Sequence, residues 1–288
     1  MEMSFGVCIP TLNASSSWPE FANRLKALGS TPVRVLLIDS ESTDGTADLA
    51  KKEGFQVVEI ARKDFHHGAT RQLGVELLED VDVIVFLTQD ALLASIDAIS
   101  RLVSRFKDPE VGAAYGRQLP RDGAGPIEAH ARLFNYPEKS GIRTLKGVDT
   151  LGFKSIFFSN SFGAYRRSAL MKVGGFPKDV NFGEDTVVAA RLLLAGWKVA
   201  YAADAAVYHS HAYTIAEEYR RYVQIGQLHA SQAWLLEKFG RVNGEGMRFM
   251  RSQLAMLARE APMQIPGAIL RAAAKWVGYR SGTMFHNA

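Results

Sequence analysis

Residues 33–50 read VRVLLIDSESTDGTADLA. Five of the first six residues are apolar, and the run ends abruptly in Asp39, Ser40, Glu41, Ser42, Thr43, Asp44 and Gly45 before a helical pattern begins at Thr46. A continuous apolar run of strand length reads as a strand buried on both faces. Its carboxyl end opens on acids and hydroxyls. Residues 81–91, VDVIVFLTQDA, repeat the form and end in Thr88, Gln89 and Asp90. Two polar strand ends of this kind fit a parallel sheet whose ligand lies across them.

Working outward, strand-length runs alternate with helical patterns through the first half, the signature of an α/β fold. SFGVCIP leads to a helix over 18–28, VRVLLID to one over 46–53, FQVVEIA to one over 69–78, and VDVIVFLTQD to one over 95–106; VGAAYGRQ is a further strand. After Gln118 the alternation breaks. Pro120, Gly123, Gly125, Pro126 and Pro137 mark a long loop with one short helix over 127–134. Helices are expected over 167–173 and 185–194, one or two short strands within WKVAYAADAAVYHSHAY, and helix from Ile215 to Phe239 and again after Asn243, broken by Pro262 and Pro266. The expected organisation is a nucleotide-binding and catalytic domain over 1–212 and a basic helical extension over 213–288.

At 288 residues, 47% hydrophobic and 22% charged, the chain has a globular composition that excludes disordered and fibrous classes. Cys8, the single cysteine, sits inside the apolar run FGVCIP, supplies no intrachain disulfide and reads as a small buried hydrophobe. The N-terminus has no basic segment of a secretion signal, and no apolar run reaches membrane-spanning length, so the expected location is cytoplasmic. The net charge of +4 is uneven: from Arg241 onward six Arg and one Lys face two Glu, a net of +5, leaving −1 for the first 240 residues. Basic character confined to the tail argues against nucleic acid as a partner.

Four constellations carry chemistry. Asp39 closes a buried strand and needs a donor nearby; helix capping accounts for Ser42 or Asp44, whereas the imide N–H of uracil or thymine suits Asp39. Asp90 fits either a helix cap or a carboxylate holding Mg²⁺ or Mn²⁺ against a diphosphate. Glu184 and Asp185 begin an apolar helix, where the dipole favours acids; a carboxylate there also suits deprotonation of a hydroxyl nucleophile. Further along, His209 and His211 alternate on an extended segment and so are expected to point to opposite sides, leaving one of them as a metal ligand. In KDFHHGATRQLG, His66, His67, Thr70 and Arg71 stand where a loop enters a helix, a place suited to phosphate.

In this order and spacing, IPTLN (9–13), DSESTDGT (39–46), TQDA (88–91) and GED (183–185) resemble inverting nucleotide-sugar glycosyltransferases of family 2. The resemblance covers residues 4–212. It implies the GT-A fold, a Rossmann-like, mostly parallel sheet flanked by helices, here with a C-terminal helical extension. It also implies that Pro10, Thr11, Asn13 and Asp39 contact the nucleoside, with Ser42, His67, Arg71, Thr88 and Gln89 completing the donor site. Asp90 matches the last acid of the family's DxD motif, with His209 as a second metal ligand; Asp185 matches the catalytic base, with Glu184 and Asn160 on the acceptor side. Thr88 stands where the first DxD acid is usual, and Ser40-Glu41 where Asp-Gly is usual. FHHGATRQLG, FLTQDA, GRQLP, PIEAHARLFNYP and FFSNSFGAYRR are similar to the bacterial rhamnosyltransferases of this family, in which the TQD form is the usual one. That implies a dTDP-L-rhamnose donor, a divalent cation, and a glycan or glycolipid acceptor in O-antigen synthesis; a UDP-hexose donor is the alternative.

Two readings from other classes are weaker. A nucleotidyltransferase lacks its glycine-rich N-terminal signature here, and a non-catalytic binding module leaves Glu184 and Asp185 unused. Phe134, Tyr136 and Phe153 fit either sugar stacking or core packing. The tail carries Ile265, Ile269, Leu270, Trp276, Val277 and Tyr279 beside Arg271, Lys275 and Arg280. It fits an amphipathic segment on the cytoplasmic face of an anionic inner membrane, or equally a helix packed on the domain or on a second subunit.

Overall fold

The computed structural model describes residues 3–26, 34–240 and 244–284. Val33, the last two residues of the helix expected over 18–28, and Asn243 lie outside the described residues. Two compact units are formed. One comprises residues 1–118, 137–145 and 157–209, the other 119–136, 146–156 and 210–288.

In the first unit the chain runs β1 (Phe5–Thr11), α1 (Trp18–Lys26), β2 (Arg34–Asp39), α2 (Thr46–Lys52), β3 (Gln56–Glu59), α3 (His67–Leu77) and β4 (Val83–Leu87). These pair in parallel in the order β3-β2-β1-β4. The helices follow from the buried faces they supply: α1 buries Trp18, Phe21, Ala22 and Leu25 in the cluster formed by Val7, Ile9, Val83 and Val85. Each such side chain contributes about 1.5–3 kcal/mol. α3 lies close on β1 because Gly74 has no side chain; a Cβ there would run into Cys8 Sγ. Cys8 is buried and free, and desolvation pushes its thiol up to about 12, which makes it the inert core residue its sequence context suggests.

β5 (Leu92–Leu93), α4 (Ala98–Val103) and β6 (Val111–Leu119) follow. In the second unit lie α5 (Pro126–Asn135) and α6 (Val148–Leu151), and in the first β7 (Gly141–Arg143), β8 (Phe162–Arg166), α7 (Arg167–Lys172), α8 (Glu184–Leu194) and β9 (Lys198–Tyr208). The described strands make one nine-stranded sheet, β3-β2-β1-β4-β8-β6-β9-β5, with β7 on β9. Beyond β4 the sheet is mixed: β8 runs antiparallel to both β4 and β6, and β5 and β7 antiparallel to β9. β8 lies in FFSNSFGAYRR, where Ser and Gly blur the apolar run. Where one or two short strands are expected within WKVAYAADAAVYHSHAY there is one, of 11 residues.

The order reverses at β1, since the chain proceeds from β1 to β2 and β3 and then returns to β4 on the other side. The crevice at the carboxyl ends of β1 and β4 is therefore the ligand position favoured by an open α/β sheet.

The second unit continues with α9 (Ile215–Ser231), α10 (Trp234–Phe239), α11 (Glu245–Glu260) and α12 (Ile265–Met284). Thr214 caps α9 through a reciprocal box with Glu217. α9 and α12 lie backbone to backbone, since a Cβ on Gly278 would strike the Tyr219 carbonyl and one on Gly282 that of Val223. Buried Glu218 pairs with Arg271 at 3.2 Å and Lys275 at 3.4 Å. Pro262 breaks the helix as expected. Pro266 does not, because in the first turn of α12 its missing N–H is one that no carbonyl needs. Phe134 and Phe153 are ring-packed within this unit, against Phe249 and His229, and Tyr136 is buried.

Candidate active site

The acidic turn after β2 is held by hydrogen bonds within the chain. Asp39 is 1% exposed. Its Oδ2 accepts from Thr11 Oγ1 at 3.0 Å and Ser42 Oγ at 2.6 Å, and its Oδ1 from Ser42 N at 2.8 Å. The donors this carboxylate requires thus come from the protein itself, which the sequence left to a bound base. Asn13, at φ 48°, ties the loop after β1 to the same turn: its N–H donates to Ser42 Oγ at 2.8 Å and its Oδ1 accepts from Thr43 N at 2.9 Å. Glu41 is left-handed at φ 55°, in the place where the family resemblance has glycine, and its carboxylate accepts from Arg62 N at 2.7 Å. Asp44 accepts from Thr46 N and Oγ1 and from Ser15 N. Although burial opposes it, these bonds hold its carboxyl below the usual range. Gly45, not an acid or hydroxyl, is the N-cap of α2.

Across the crevice, Gln89 uses both ends of its amide on one residue. Oε1 accepts from Leu12 N at 2.7 Å and Nε2 donates to Leu12 O at 2.9 Å. Expected as a donor contact, Gln89 instead ties the β1 and β4 ends together. Pro10 and Thr11 end β1 beside them. Thr88 Oγ1 is buried with no hydrogen-bond partner.

Asp90 Oδ2 lies 3.4 Å from His209 Nε2. Asp90, His209 and, two residues further along the same segment, His211 each bring one ligand atom within 4.8 Å of the others. The expectation that the two histidines point apart is corrected: residues two apart on an extended segment share a side. One carboxylate and two imidazoles form a donor set that suits Mn²⁺ better than the all-oxygen preference of Mg²⁺.

The third cluster surrounds the start of α8. Arg71 Nη1 donates to Glu184 Oε1 at 2.7 Å, and both side chains are buried. Arg71, expected to meet phosphate, is ion-paired with Glu184 through Nη1. Asn160, also buried, donates from Nδ2 to the same Oε1 at 3.0 Å and accepts from Tyr165 OH at 2.8 Å. Glu184 and Asn160, expected on the acceptor side, are both buried and hydrogen-bonded to each other. Burial acts to raise Glu184, but Arg71 and the Asn160 bond outweigh it and hold the carboxyl below its usual range. Asp185 differs: it stays partly exposed, with Oδ1 accepting from Thr186 N at 2.7 Å and Oδ2 from Asn160 N at 3.2 Å. Desolvation, then the neighbouring charge of Glu184, push it up to about 7. Adjacent acids with proton affinities driven apart are what a base working near neutrality requires. His67 is exposed at the first turn of α3, 3.3 Å from Arg71 Nη1 through its Nδ1.

Sequence reasoning missed Gln118, Ser159 and Tyr165 as members of these clusters, although GRQLP and FFSNSFGAYRR contain them. Gln118 Oε1 lies 2.9 Å from His209 Nδ1.

Comparison with known proteins agrees with this geometry. The model of the family described as glycosyl transferase family 2 matches residues 6–174. The O-antigen chain rhamnosyltransferase RfbN of Salmonella typhimurium is 45% identical over 281 residues, 97% of this chain and 90% of that protein. WbaN of Salmonella anatum, also an O-antigen chain rhamnosyltransferase, is 41% identical over 280 residues, 97% and 89% of the two chains. Among solved structures, the mannosyltransferase PcManGT from Pyrobaculum calidifontis, in complex with GDP-Man and Mn²⁺, is similar with TM-score 0.64 and 19% identity, over 100% of this chain and 85% of that one. S. aureus TarS 1–349 in complex with UDP-GlcNAc is similar with TM-score 0.56 and 17% identity, over 99% and 92%. At these identities the solved structures establish the GT-A fold alone. With its switch-point crevice, its strand-end acids and a family match over more than half its length, the chain belongs to glycosyl transferase family 2 and is a glycosyltransferase.

Proposed function

We propose that the protein transfers L-rhamnose from dTDP-β-L-rhamnose to a hydroxyl of a lipid-linked glycan in O-antigen synthesis. The observation that carries the reading is the 45% identity to an O-antigen chain rhamnosyltransferase over nearly the whole of both chains. Asp185 removes the acceptor proton, and one in-line attack on the anomeric carbon expels dTDP and inverts a β-linked donor to an α-rhamnoside. Glu184, kept anionic by Arg71, keeps Asp185 basic enough to act. Pro10, Thr11, Asn13, Asp39 and Ser42 form the nucleoside end. Asp39 Oδ1, which accepts one bond from Ser42 N, has a second acceptor position for the base imide. Asp90, His209 and His211 would hold a divalent cation, which supplies positive charge to the leaving diphosphate; the unpartnered Thr88 hydroxyl beside them suits a diphosphate oxygen.

The test is calorimetric binding of dTDP-L-rhamnose against UDP-glucose, UDP-GlcNAc and GDP-mannose, with and without Mn²⁺, paired with transfer assays on Asp185→Asn. Selective binding of dTDP-L-rhamnose, retained in the variant while transfer is abolished, is expected. Preference for another donor overturns the rhamnosyl assignment, and loss of binding together with transfer overturns the base role of Asp185.

The same reading includes peripheral association with an anionic bilayer. Among the described residues no helix is long and apolar enough to cross a membrane. On α12, Ile269, Leu270, Trp276, Val277 and Met284 are exposed, with Arg280 over the Trp276 ring. Such a stripe in a tail of net charge +5 suits the surface of anionic lipid. Salt-sensitive flotation with anionic vesicles is expected, and no flotation refutes it.

A further inference from the structure

Gln118 is the next-to-last residue of β6, and His209 follows directly on β9, its neighbour in the sheet. These strands close tightly on β8: a Cβ on Gly116 would run into the Phe162 ring and come within 2.6 Å of the Ala205 carbonyl oxygen. The close approach brings three polar side chains from three segments into one chain of contacts. Ser159 Oγ accepts from Gln118 Nε2 at 2.8 Å, and Gln118 Oε1 faces His209 Nδ1 at 2.9 Å. Beyond the ring, His209 Nε2 stands 3.4 Å from Asp90 Oδ2. Gln118 and His209 are buried, 1% and 6% exposed, and Ser159 is partly buried.

A glutamine carbonyl oxygen accepts and never donates, so the ring nitrogen facing it carries the proton. In a neutral imidazole the second nitrogen then keeps its lone pair, and here that nitrogen is the one beside Asp90. With its Nε2 donating to Ser159 Oγ, the Gln118 side chain presents its oxygen to the ring. We propose that Gln118, oriented by Ser159, is a positioning residue that fixes His209 as the Nδ1–H tautomer and so presents Nε2, beside Asp90, to a divalent cation. The purpose of this arrangement rests on the metal role assigned to Asp90 and His209 above. The tautomer itself is a property of the metal-free chain and is testable apart from it. A neutral acceptor also differs from a carboxylate in that it orients the ring without adding negative charge next to the diphosphate.

The test uses uniformly ¹⁵N-labelled full-length protein without metal at pH 8. Long-range ¹⁵N–¹H correlation of the seven histidines reads each tautomer, with His209 assigned by its loss in His209→Gln. The expected wild-type pattern is Nδ1–H for His209, retained in Gln118→Glu, which keeps an acceptor, and lost to a mixture in Gln118→Leu. Mn²⁺ titration followed by electron paramagnetic resonance should then show affinity lowered about 10–100-fold in Gln118→Leu and held near the wild-type value in Gln118→Glu. A wild-type Nε2–H tautomer overturns the proposal whether or not the variants fold, as does an unchanged tautomer in folded Gln118→Leu. A wild-type protein with the expected tautomer that takes up no Mn²⁺, with or without dTDP, overturns the metal role while leaving the orienting role of Gln118 standing.

Discussion

Asp185→Asn has a thermodynamic consequence separate from its effect on transfer. In the native protein the Asp185 carboxyl holds its proton up to about pH 7, because of burial and the Glu184 charge, whereas in the unfolded chain the proton leaves near the ordinary value of 3.8. Between these values the native state binds more protons than the unfolded state, so this group makes stability fall as pH rises. Asparagine removes that dependence. It also loses an acceptor, since Asp185 takes the Thr186 and Asn160 N–H groups on separate oxygens, and one of them then faces an NH₂. That mismatch costs about 1–3 kcal/mol at every pH. From pH 5 to pH 8 the ionisation cost of wild type grows over two pH units, about 3 kcal/mol at full burial and about 2 kcal/mol after allowing for the partly exposed carboxyl. The stability of the variant relative to wild type should therefore rise by about 2 kcal/mol between pH 5 and pH 8. Urea unfolding of both proteins at the two pH values measures this. A difference constant within about 0.5 kcal/mol, or one that moves the other way, would refute the placing of a proton-retaining carboxyl at the head of α8.

Three further outcomes follow from other parts of the chain. His229 is buried and its imidazole is pushed down to about 4 by desolvation, so its native state binds fewer protons than the unfolded state between about pH 6.5 and 4. Stability is lost as pH falls through that window, and His229→Gln should lose about 2–3 kcal/mol less than wild type between pH 7 and pH 4.5 in the same unfolding assay. Gly278→Ala sets a methyl group against the Tyr219 carbonyl and should lower the melting temperature through a loss of about 1–3 kcal/mol, with helix content retained by circular dichroism. Gln89→Leu strands the N–H and C=O of Leu12 and should cost about 1–3 kcal/mol while raising the donor KM more than it lowers kcat; an unchanged KM would remove Gln89 from the crevice.

What was legible in the sequence was whatever a short window contains. The apolar runs of β1, β2 and β4 end in polar residues at Thr11, Asp39 and Thr88 because parallel strands are buried along their length and open only at their carboxyl ends, so strands, crossover helices and crevice could be read from order and period alone. Partners that meet across the sheet could not. Arg71 and Glu184 are 113 residues apart, and nothing within either segment tells an arginine awaiting phosphate from one already neutralised. Gln89 and Leu12, 77 apart, are the same case, for an amide in a metal motif reads as a ligand until the backbone facing it is known. His209 and His211 failed for a different reason. Alternation puts neighbours on opposite faces and residues two apart on the same face, so the 209/211 spacing itself speaks for two imidazoles on one side. The Arg71 and Gln89 readings share a direction: each assigned to a ligand a polar group that the fold hydrogen-bonds itself. Besides these, the crevice holds the Asp90 carboxylate, the His209 and His211 imidazoles, the Thr88 hydroxyl and the carboxyl of Asp185. A metal group, a hydroxyl and a base are the parts a single displacement at a sugar diphosphate requires, which is why the structure narrows the chemistry even where it removes candidate residues.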